Sequence, residues 1–118
     1  MIGSWHGLVI DCNDPQTLAA FYQELLGYTR VQDESDWVVI GKSPDQPGIA
    51  FQKIENFVAP TWPKEHIPTQ MHIDIKVDSL EDASDVAIGL GATLLSNSEK
   101  IFWVFSDPEG HPFCLVCF

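Results

Sequence analysis

Basic residues are scarce in this sequence. Six lysines and arginines stand against seventeen aspartates and glutamates, which gives a formal net charge of −11 at pH 7. Nucleic acids and anionic membrane surfaces are bound through positive surface charge. We therefore expect neither nucleic acid nor a membrane as a partner.

Long apolar segments and cysteines are scarce as well. No apolar run approaches the ~20 residues of a membrane-spanning helix, and the first residues lack the basic and apolar regions of a secretion signal. The three cysteines are an odd number, which does not make a disulfide framework. These absences predict a cytoplasmic protein.

Signature loops of several enzyme classes are also absent from the sequence. There is no glycine-rich phosphate loop, no serine elbow and no paired histidines. The sequence therefore supports neither nucleotide binding nor hydrolysis by a catalytic serine triad.

The first half of the chain predicts a strand, a helix and three further strands. Asp14 can cap a helix that begins at Pro15, and Gly27 stands where a left-handed residue would end that helix. Apolar residues recur between them at the spacing of one helical stripe. The predicted strands cover residues 6–12, 28–32, 37–40 and 49–54.

The second half repeats this order after a proline-rich connector. In residues 71–78, apolar and polar side chains alternate as in a strand with one buried face. Ser79 caps the predicted helix and Gly91 ends it. Strands are predicted at 93–95, 101–105 and 113–118. The predicted buried stripe of this helix is Ala83, Val86, Ala87 and Leu90.

The two halves are therefore predicted to be two modules of one domain, with module one at residues 1–55, the connector at 56–69 and module two at 70–118. Aligning the caps Asp14 and Ser79 matches Gly7 with His72. A second alignment, Phe51-Gln52 with Phe113-Cys114, is suggested by the sequence of the last strands.

Several segments, taken in order, resemble a known family. They are residues 8–15, 18–22, 25–27, 60–63, 72–74, 107–110 and 113–116. Together they are similar to the glyoxalase-like branch of the glyoxalase, bleomycin-resistance and extradiol dioxygenase superfamily, the vicinal oxygen chelate proteins. The resemblance implies an α+β fold in which two βαβββ modules form curved mixed sheets around a shared cleft.

The resemblance also implies where a divalent metal would bind. Active members take metal ligands from four equivalent strand positions, which here are Gly7, Gln52, His72 and Cys114. Glycine offers no ligand atom, so the implied metal ligands are His72, Gln52 and Cys114. Because this set is depleted, we expect no cofactor, and the alternative is a divalent ion such as zinc, nickel, manganese or iron.

The cleft is also predicted to bind a small molecule. Aromatic rings with a few polar anchors are typical of sites for apolar or planar ligands. Three structural interpretations are the alternatives: Trp62 fixes the connector to the sheet, Cys114 fills the core, and Asp11 pairs with Lys76. The predicted ligand-binding residues are His72, Gln52, Cys114, Trp62, Asp74 and Trp103.

Three functions stay open from the sequence. The first is a metal-free protein that binds a small hydrophobic or planar molecule, similar to the bleomycin-resistance type. The second is a divalent-metal-dependent lyase or isomerase similar to glyoxalase, and the third is a structural or interaction protein with a vestigial cleft. Related proteins commonly pair, so a homodimer is expected.

Overall fold

The computed structural model describes residues 2–62 and 66–118. The chain forms two compact units, Met1–Phe57 and Val58–Phe118. Each unit has the order βαβββ, as the sequence predicted. The connector from Val58 onward belongs to the second unit. In the described part of the chain, no helix has the length and apolar character needed to cross a membrane.

Unit one is a four-stranded mixed sheet with one helix against it. The strands are in the order β1-β4-β3-β2, with β1 parallel to β4 and the other neighbours antiparallel. The elements are β1 (Gly7–Cys12), α1 (Pro15–Leu26), β2 (Thr29–Asp33), β3 (Trp37–Gly41) and β4 (Gly48–Lys53).

Helix α1 begins and ends where its sequence predicts. The Asp14 carboxylate accepts a hydrogen bond from the backbone N–H of Thr17, and Gly27 ends the helix with a φ of 68°. The apolar stripe lies against the sheet: Tyr22 is buried and its ring stacks on Phe51, with 5.6 Å between ring centroids.

Unit two repeats this topology in the order β5-β8-β7-β6, with β5 parallel to β8. Each unit also has one shift of strand register at the same place. It lies at Arg30/Gln32 of the second strand in unit one and at Leu94/Ser96 of the second strand in unit two. The elements are β5 (Ile73–Lys76), α2 (Leu80–Leu90), β6 (Thr93–Ser96), β7 (Phe102–Ser106) and β8 (Pro112–Val116).

The predicted stripe of α2 is wrong at Val86. Ser79 caps this helix and Gly91 ends it, as predicted, but Val86 is 58% exposed. The buried positions are instead Leu80, Ser84 and Ala87. Two of these three side chains, Ser84 and Ala87, are small, and one of them is polar, so hydropathy alone does not identify the buried stripe of this helix.

Strand β5 is shorter than the strand predicted at residues 71–78. Its pairing with β8 begins at Ile73 and Phe113, so His72 lies just before the strand. The next residue of β8 toward its start is Pro112, which has no N–H to donate and cannot extend the ladder in the usual way. His72 is therefore held by fewer backbone bonds than a residue inside the strand.

The turn between β7 and β8 is held by the buried carboxylate of Asp107. This carboxylate accepts hydrogen bonds from the backbone N–H groups of Glu109 and His111, and the His111 ring lies 2.8 Å from it. Gly110 adopts a positive φ of 96° and packs against Ala59 of the connector. The turn therefore supports the path of the connector.

Candidate functional site

The candidate site is built on the pairing of β5 with β8. Asp74 and Cys114 are direct partners in this parallel ladder, so their side chains lie on the same face of the sheet. Residues Ile75 and Leu115, one position along each strand, are buried on the opposite face. We call the face that carries Asp74 and Cys114 the β5–β8 face.

His72 completes a compact cluster on this face. One ligand atom from each of His72, Asp74 and Cys114 lies within 4.8 Å of the other two. The Nε2 atom of His72 is 3.3 Å from Oδ1 of Asp74. Cys114 is buried, whereas the side chains of His72 and Asp74 are 37% and 60% exposed. The cluster is therefore open to solvent on the side of His72 and Asp74.

The thiol of Cys114 is protonated at neutral pH. Burial raises its pKa to about 11, and the Asp74 carboxylate beside it contributes to the shift through its charge and a hydrogen bond. A thiol in this state is a poor nucleophile, because the thiolate is the reactive form. Covalent catalysis by this cysteine alone is therefore not favoured by the geometry.

Trp62 covers the cluster from the connector. Its ring stacks on the ring of His72, with 4.9 Å between centroids and 20° between planes. Trp62 also packs, with Phe102, against the buried side chains of Val104, Cys114 and Val116. This contact fixes the connector to the sheet, as one interpretation of Trp62 expects, and it also makes the ring a wall of the β5–β8 face.

Next to Trp62, Thr61 forms hydrogen bonds with the part of the connector at His66 and Ile67. The Thr61 hydroxyl accepts hydrogen bonds from the backbone N–H groups of His66 and Ile67, at 2.7 and 2.9 Å. The Thr61 N–H in turn donates to the carbonyl of Ile67. Pro63, which belongs to the resembling segment 60–63, lies outside the described residues.

Trp103 does not belong to this face. It pairs with Leu115, whose side chain points to the other side of the sheet. Its indole N–H donates to the carbonyl of Glu99 at 3.1 Å, beside an open pocket of about 490 Å³ that Ser79 and Lys100 also line. The structure therefore separates Trp103 from the cluster with which the sequence grouped it.

The predicted match between Gln52 and Cys114 is also wrong. Given the match of Gly7 with His72, Val9 corresponds to Asp74. Val9 pairs with Ala50 in the β1–β4 ladder, just as Asp74 pairs with Cys114 in the β5–β8 ladder. Ala50 is therefore the counterpart of Cys114.

Gln52 occupies a different position of the repeat. It pairs with Asp11, and the corresponding pair in unit two is Lys76 with Val116. The two phenylalanines that suggested the earlier match stand at different registers in their strands. In unit one, the counterparts of His72 and Cys114 are thus Gly7 and Ala50, which offer no ligand atom. The proposed ligand role of Gln52 stays a prediction without support from the repeat.

Asp74 is the residue that the predicted metal set omitted. The sequence grouped it with the small-molecule ligands, although its spacing of two from His72 places the two side chains on one side of an extended chain. The spacing of two brings His72 and Asp74 together, and the pairing of Asp74 with Cys114 adds the third residue of the triad. The sequence contains the spacing, but the pairing is known only from the structure.

The donor set of the triad fits a divalent metal. It offers an imidazole nitrogen, a carboxylate oxygen and a sulfur, all of which are found as zinc ligands. Three protein ligands with a fourth open position are typical of catalytic zinc sites. The exposure of His72 and Asp74 leaves access to such a position.

Solved structures of known proteins share this fold. A glyoxalase/bleomycin resistance protein/dioxygenase family enzyme from Burkholderia phytofirmans PsJN is 17% identical, with a TM-score of 0.75 and 98% of each chain covered. The fosfomycin resistance protein FosX from Listeria monocytogenes is 15% identical, with a TM-score of 0.75, covering 100% of this chain and 95% of FosX. The fold is thus that of the vicinal oxygen chelate proteins.

A metal is known in one of these relatives. A FosX structure from Listeria monocytogenes, 15% identical with a TM-score of 0.73 and covering 99% of this chain and 91% of its own, is complexed with Mn(II) and a sulfate ion. No curated protein sequence matches this chain. The family model described as "Glyoxalase-like domain" matches residues 7–116. The chain therefore belongs to the glyoxalase-like domain family.

Proposed function

We propose that the protein binds a small planar or apolar molecule on the β5–β8 face, with Trp62 as an aromatic wall. The observation that carries this proposal is the stack of Trp62 on His72 beside the apolar side chains of Val104 and Val116. A ring surface with few polar anchors favours ligands of this kind.

The polar groups of the site define what such a ligand needs. Asp74 is exposed and accepts hydrogen bonds, so a donor group on the ligand is favoured near it. His72 offers its ring edge to the same region and its ring plane to Trp62. The proposed ligand is therefore flat and largely apolar, with one or two hydrogen-bonding groups at one end.

A thermal-shift screen tests the proposal. Hydrophobic metabolites, aldehydes and thiol conjugates are added at concentrations well above the expected dissociation constant. A ligand at about 100 times its dissociation constant stabilises the folded state by ~2.7 kcal/mol, which raises the midpoint by several degrees. A screen without a stabilising compound would contradict the proposal.

Two tryptophan variants locate the binding. Trp62→Ala removes the wall and is expected to abolish the shift produced by each stabilising compound. Trp5→Ala is the matched control, because Trp5 is 71% exposed and belongs to the first unit, whereas Trp62 belongs to the second. Equal losses in both variants would show that binding does not depend on this face.

The second candidate is a divalent-metal-dependent lyase or isomerase, and the triad is the observation that favours it. His72, Asp74 and Cys114 would hold the ion, which would act as a Lewis acid on a substrate oxygen. FosX, a relative in fold, has been crystallised with Mn(II). Turnover of thiol-conjugated aldehydes by the metal-loaded protein, lost in His72→Ala, is the expected result.

Two further hypotheses have direct measurements. The expected homodimer predicts twice the monomer mass in sedimentation equilibrium of the untagged protein. The structural or interaction protein is favoured if neither a ligand nor a metal binds.

A further inference from the structure

We propose that module two alone holds a thiophilic divalent ion, of the zinc class, through His72, Asp74 and Cys114. The inference is independent of the small-molecule proposal, since either kind of binding can be measured without the other. It differs from the metal set implied by the resemblance, because Asp74 takes the place of Gln52. It also specifies the chemical class of the ion.

The geometry of the cluster is close to that of a metal site. The three ligand atoms lie within 4.8 Å of one another. Around a tetrahedral zinc ion with bonds of 2.0–2.3 Å, ligand atoms are about 3.5 Å apart. The separations in the cluster thus exceed those of a closed site by at most about 1.3 Å, a difference that side-chain rotation can supply.

The side chains of the cluster differ in their freedom to close that gap. Cys114 is buried inside β8 and gives the site a fixed point. Asp74 is exposed, and His72 lies before β5 with its ring exposed on one side. The Trp62 ring stacked on His72 limits the imidazole to rotation near its present plane. Closure around an ion therefore requires movement of two side chains and no movement of the sheet.

The donor atoms of the cluster decide the class of ion. Manganese and magnesium prefer oxygen ligands, whereas zinc, cobalt and cadmium accept sulfur and imidazole nitrogen readily. One imidazole nitrogen, one carboxylate oxygen and one thiol sulfur, which releases its proton to solvent when the metal binds, are offered here. The cluster therefore favours the thiophilic ions over manganese.

The equivalent positions of unit one lack ligand atoms. The counterparts of His72 and Cys114 in unit one are Gly7 and Ala50, neither of which has a ligand atom. A site that drew on equivalent positions of both modules is thus incomplete in this sequence. Within module two, by contrast, three different ligand types already stand together.

Cobalt titration of untagged, reduced protein tests the proposal. Co²⁺ is the probe, because a cobalt–thiolate bond gives a charge-transfer band in the near ultraviolet. We expect this band to saturate at one equivalent, to disappear on addition of Zn²⁺, and to persist in about a hundredfold excess of Mn²⁺. The proposal would be overturned if no band appeared, or if Mn²⁺ displaced Co²⁺ at the same concentrations at which Zn²⁺ does.

Variants identify the ligands. Cys114→Ser should remove the charge-transfer band, and Asp74→Asn should weaken Co²⁺ binding at least about tenfold. Asp74 is exposed, so its variant stays folded even if replacing the buried Cys114 destabilises the protein. Circular dichroism of each variant checks the fold.

A matched cysteine control and a module-one variant complete the experiment. Cys117 lies outside the triad and its thiol donates to the carbonyl of Asp78, so Cys117→Ser should keep the band. Gln52→Ala should bind Co²⁺ as the unmodified protein does. Loss of the band in Cys117→Ser, or weaker binding in Gln52→Ala, would contradict a site contained in the triad.

Discussion

Asp74 and Cys114 are direct neighbours across the parallel β5–β8 pair, and the exposed carboxylate lies beside the buried thiol. This pairing places a charged acceptor next to a protonated sulfur on one face of the sheet. The same carboxylate lies 3.3 Å from His72. Asp74 is therefore the residue that joins the histidine and the cysteine into one site.

The reactivity of Cys114 should depend on pH in a distinctive way. Its pKa is raised to about 11 from a reference value of 9.0, so alkylation by iodoacetamide should be slow at pH 8 and increase up to about pH 11. Peptide mass spectrometry after timed labelling measures each cysteine separately. In Asp74→Asn the carboxylate charge is gone, so the rise should move to lower pH.

The same shift predicts the effect of alkaline pH on stability. A folded-state pKa above the unfolded value means that the protonated thiol stabilises the fold, fully below pH 9 and progressively less as the pH rises toward 11. Urea unfolding between pH 8 and 11 should show this loss, and Cys114→Ser should lack that component. An identical pH dependence in the two proteins would contradict the assignment.

Removal of the Trp62 ring should destabilise unit two. The ring is half-buried against Val104, Cys114 and Val116. Truncation of a fully buried tryptophan costs 3–5 kcal/mol, so we expect Trp62→Ala to lower the free energy of unfolding by about 1–3 kcal/mol. Trp5→Ala should change it by less than about 0.5 kcal/mol, since Trp5 is exposed. Denaturant titration of both variants makes the comparison.

Gly110 should not tolerate a side chain. Its φ is 96°, and a Cβ there would lie 2.7 Å from the Cβ of Ala59. Both effects oppose alanine, so Gly110→Ala should cost about 2–4 kcal/mol. Ala59→Gly in the same chain would relieve the collision but not the backbone strain, and should therefore restore only part of the loss.

Gly89→Ala should stabilise the protein, in contrast to Gly110→Ala. Gly89 lies inside α2, and a Cβ there would meet nothing within 4 Å. Alanine should therefore stabilise the helix by about 0.5–1 kcal/mol. Thermal midpoints of the two glycine variants should move in opposite directions. A fall for Gly89→Ala would contradict the expectation for α2, and a rise for Gly110→Ala would contradict the account of the turn.

Local signals in the sequence predicted most of the fold. Asp14, Ser79, Gly27 and Gly91 each act through the residues next to them, so the two helices were placed correctly. The βαβββ repeat followed from the order of these signals. Val86 was misplaced because the burial of a helix face depends on how the sheet approaches it, which is tertiary information.

The site was only partly predictable for the same reason. His72 and Cys114 were identified from the resemblance and Trp62 as an aromatic residue of the connector, and the structure brings all three together. The match of Gln52 with Cys114 failed because it rested on residue identity, whereas strand register decides which positions correspond. Trp103 was misplaced because aromatic content alone does not indicate the face of a strand.

The central claim is that ligands bind on the β5–β8 face, and the indole resonances of the four tryptophans test it directly. A two-dimensional ¹H–¹⁵N spectrum is recorded with each compound that stabilises the protein in the thermal-shift screen, and single Trp→Phe variants assign the indole signals. The account predicts that these compounds shift the Trp62 indole resonance and leave that of Trp5 in place. Stabilising compounds that shift only the Trp37 or Trp103 resonance, with Trp62 unchanged, would contradict it.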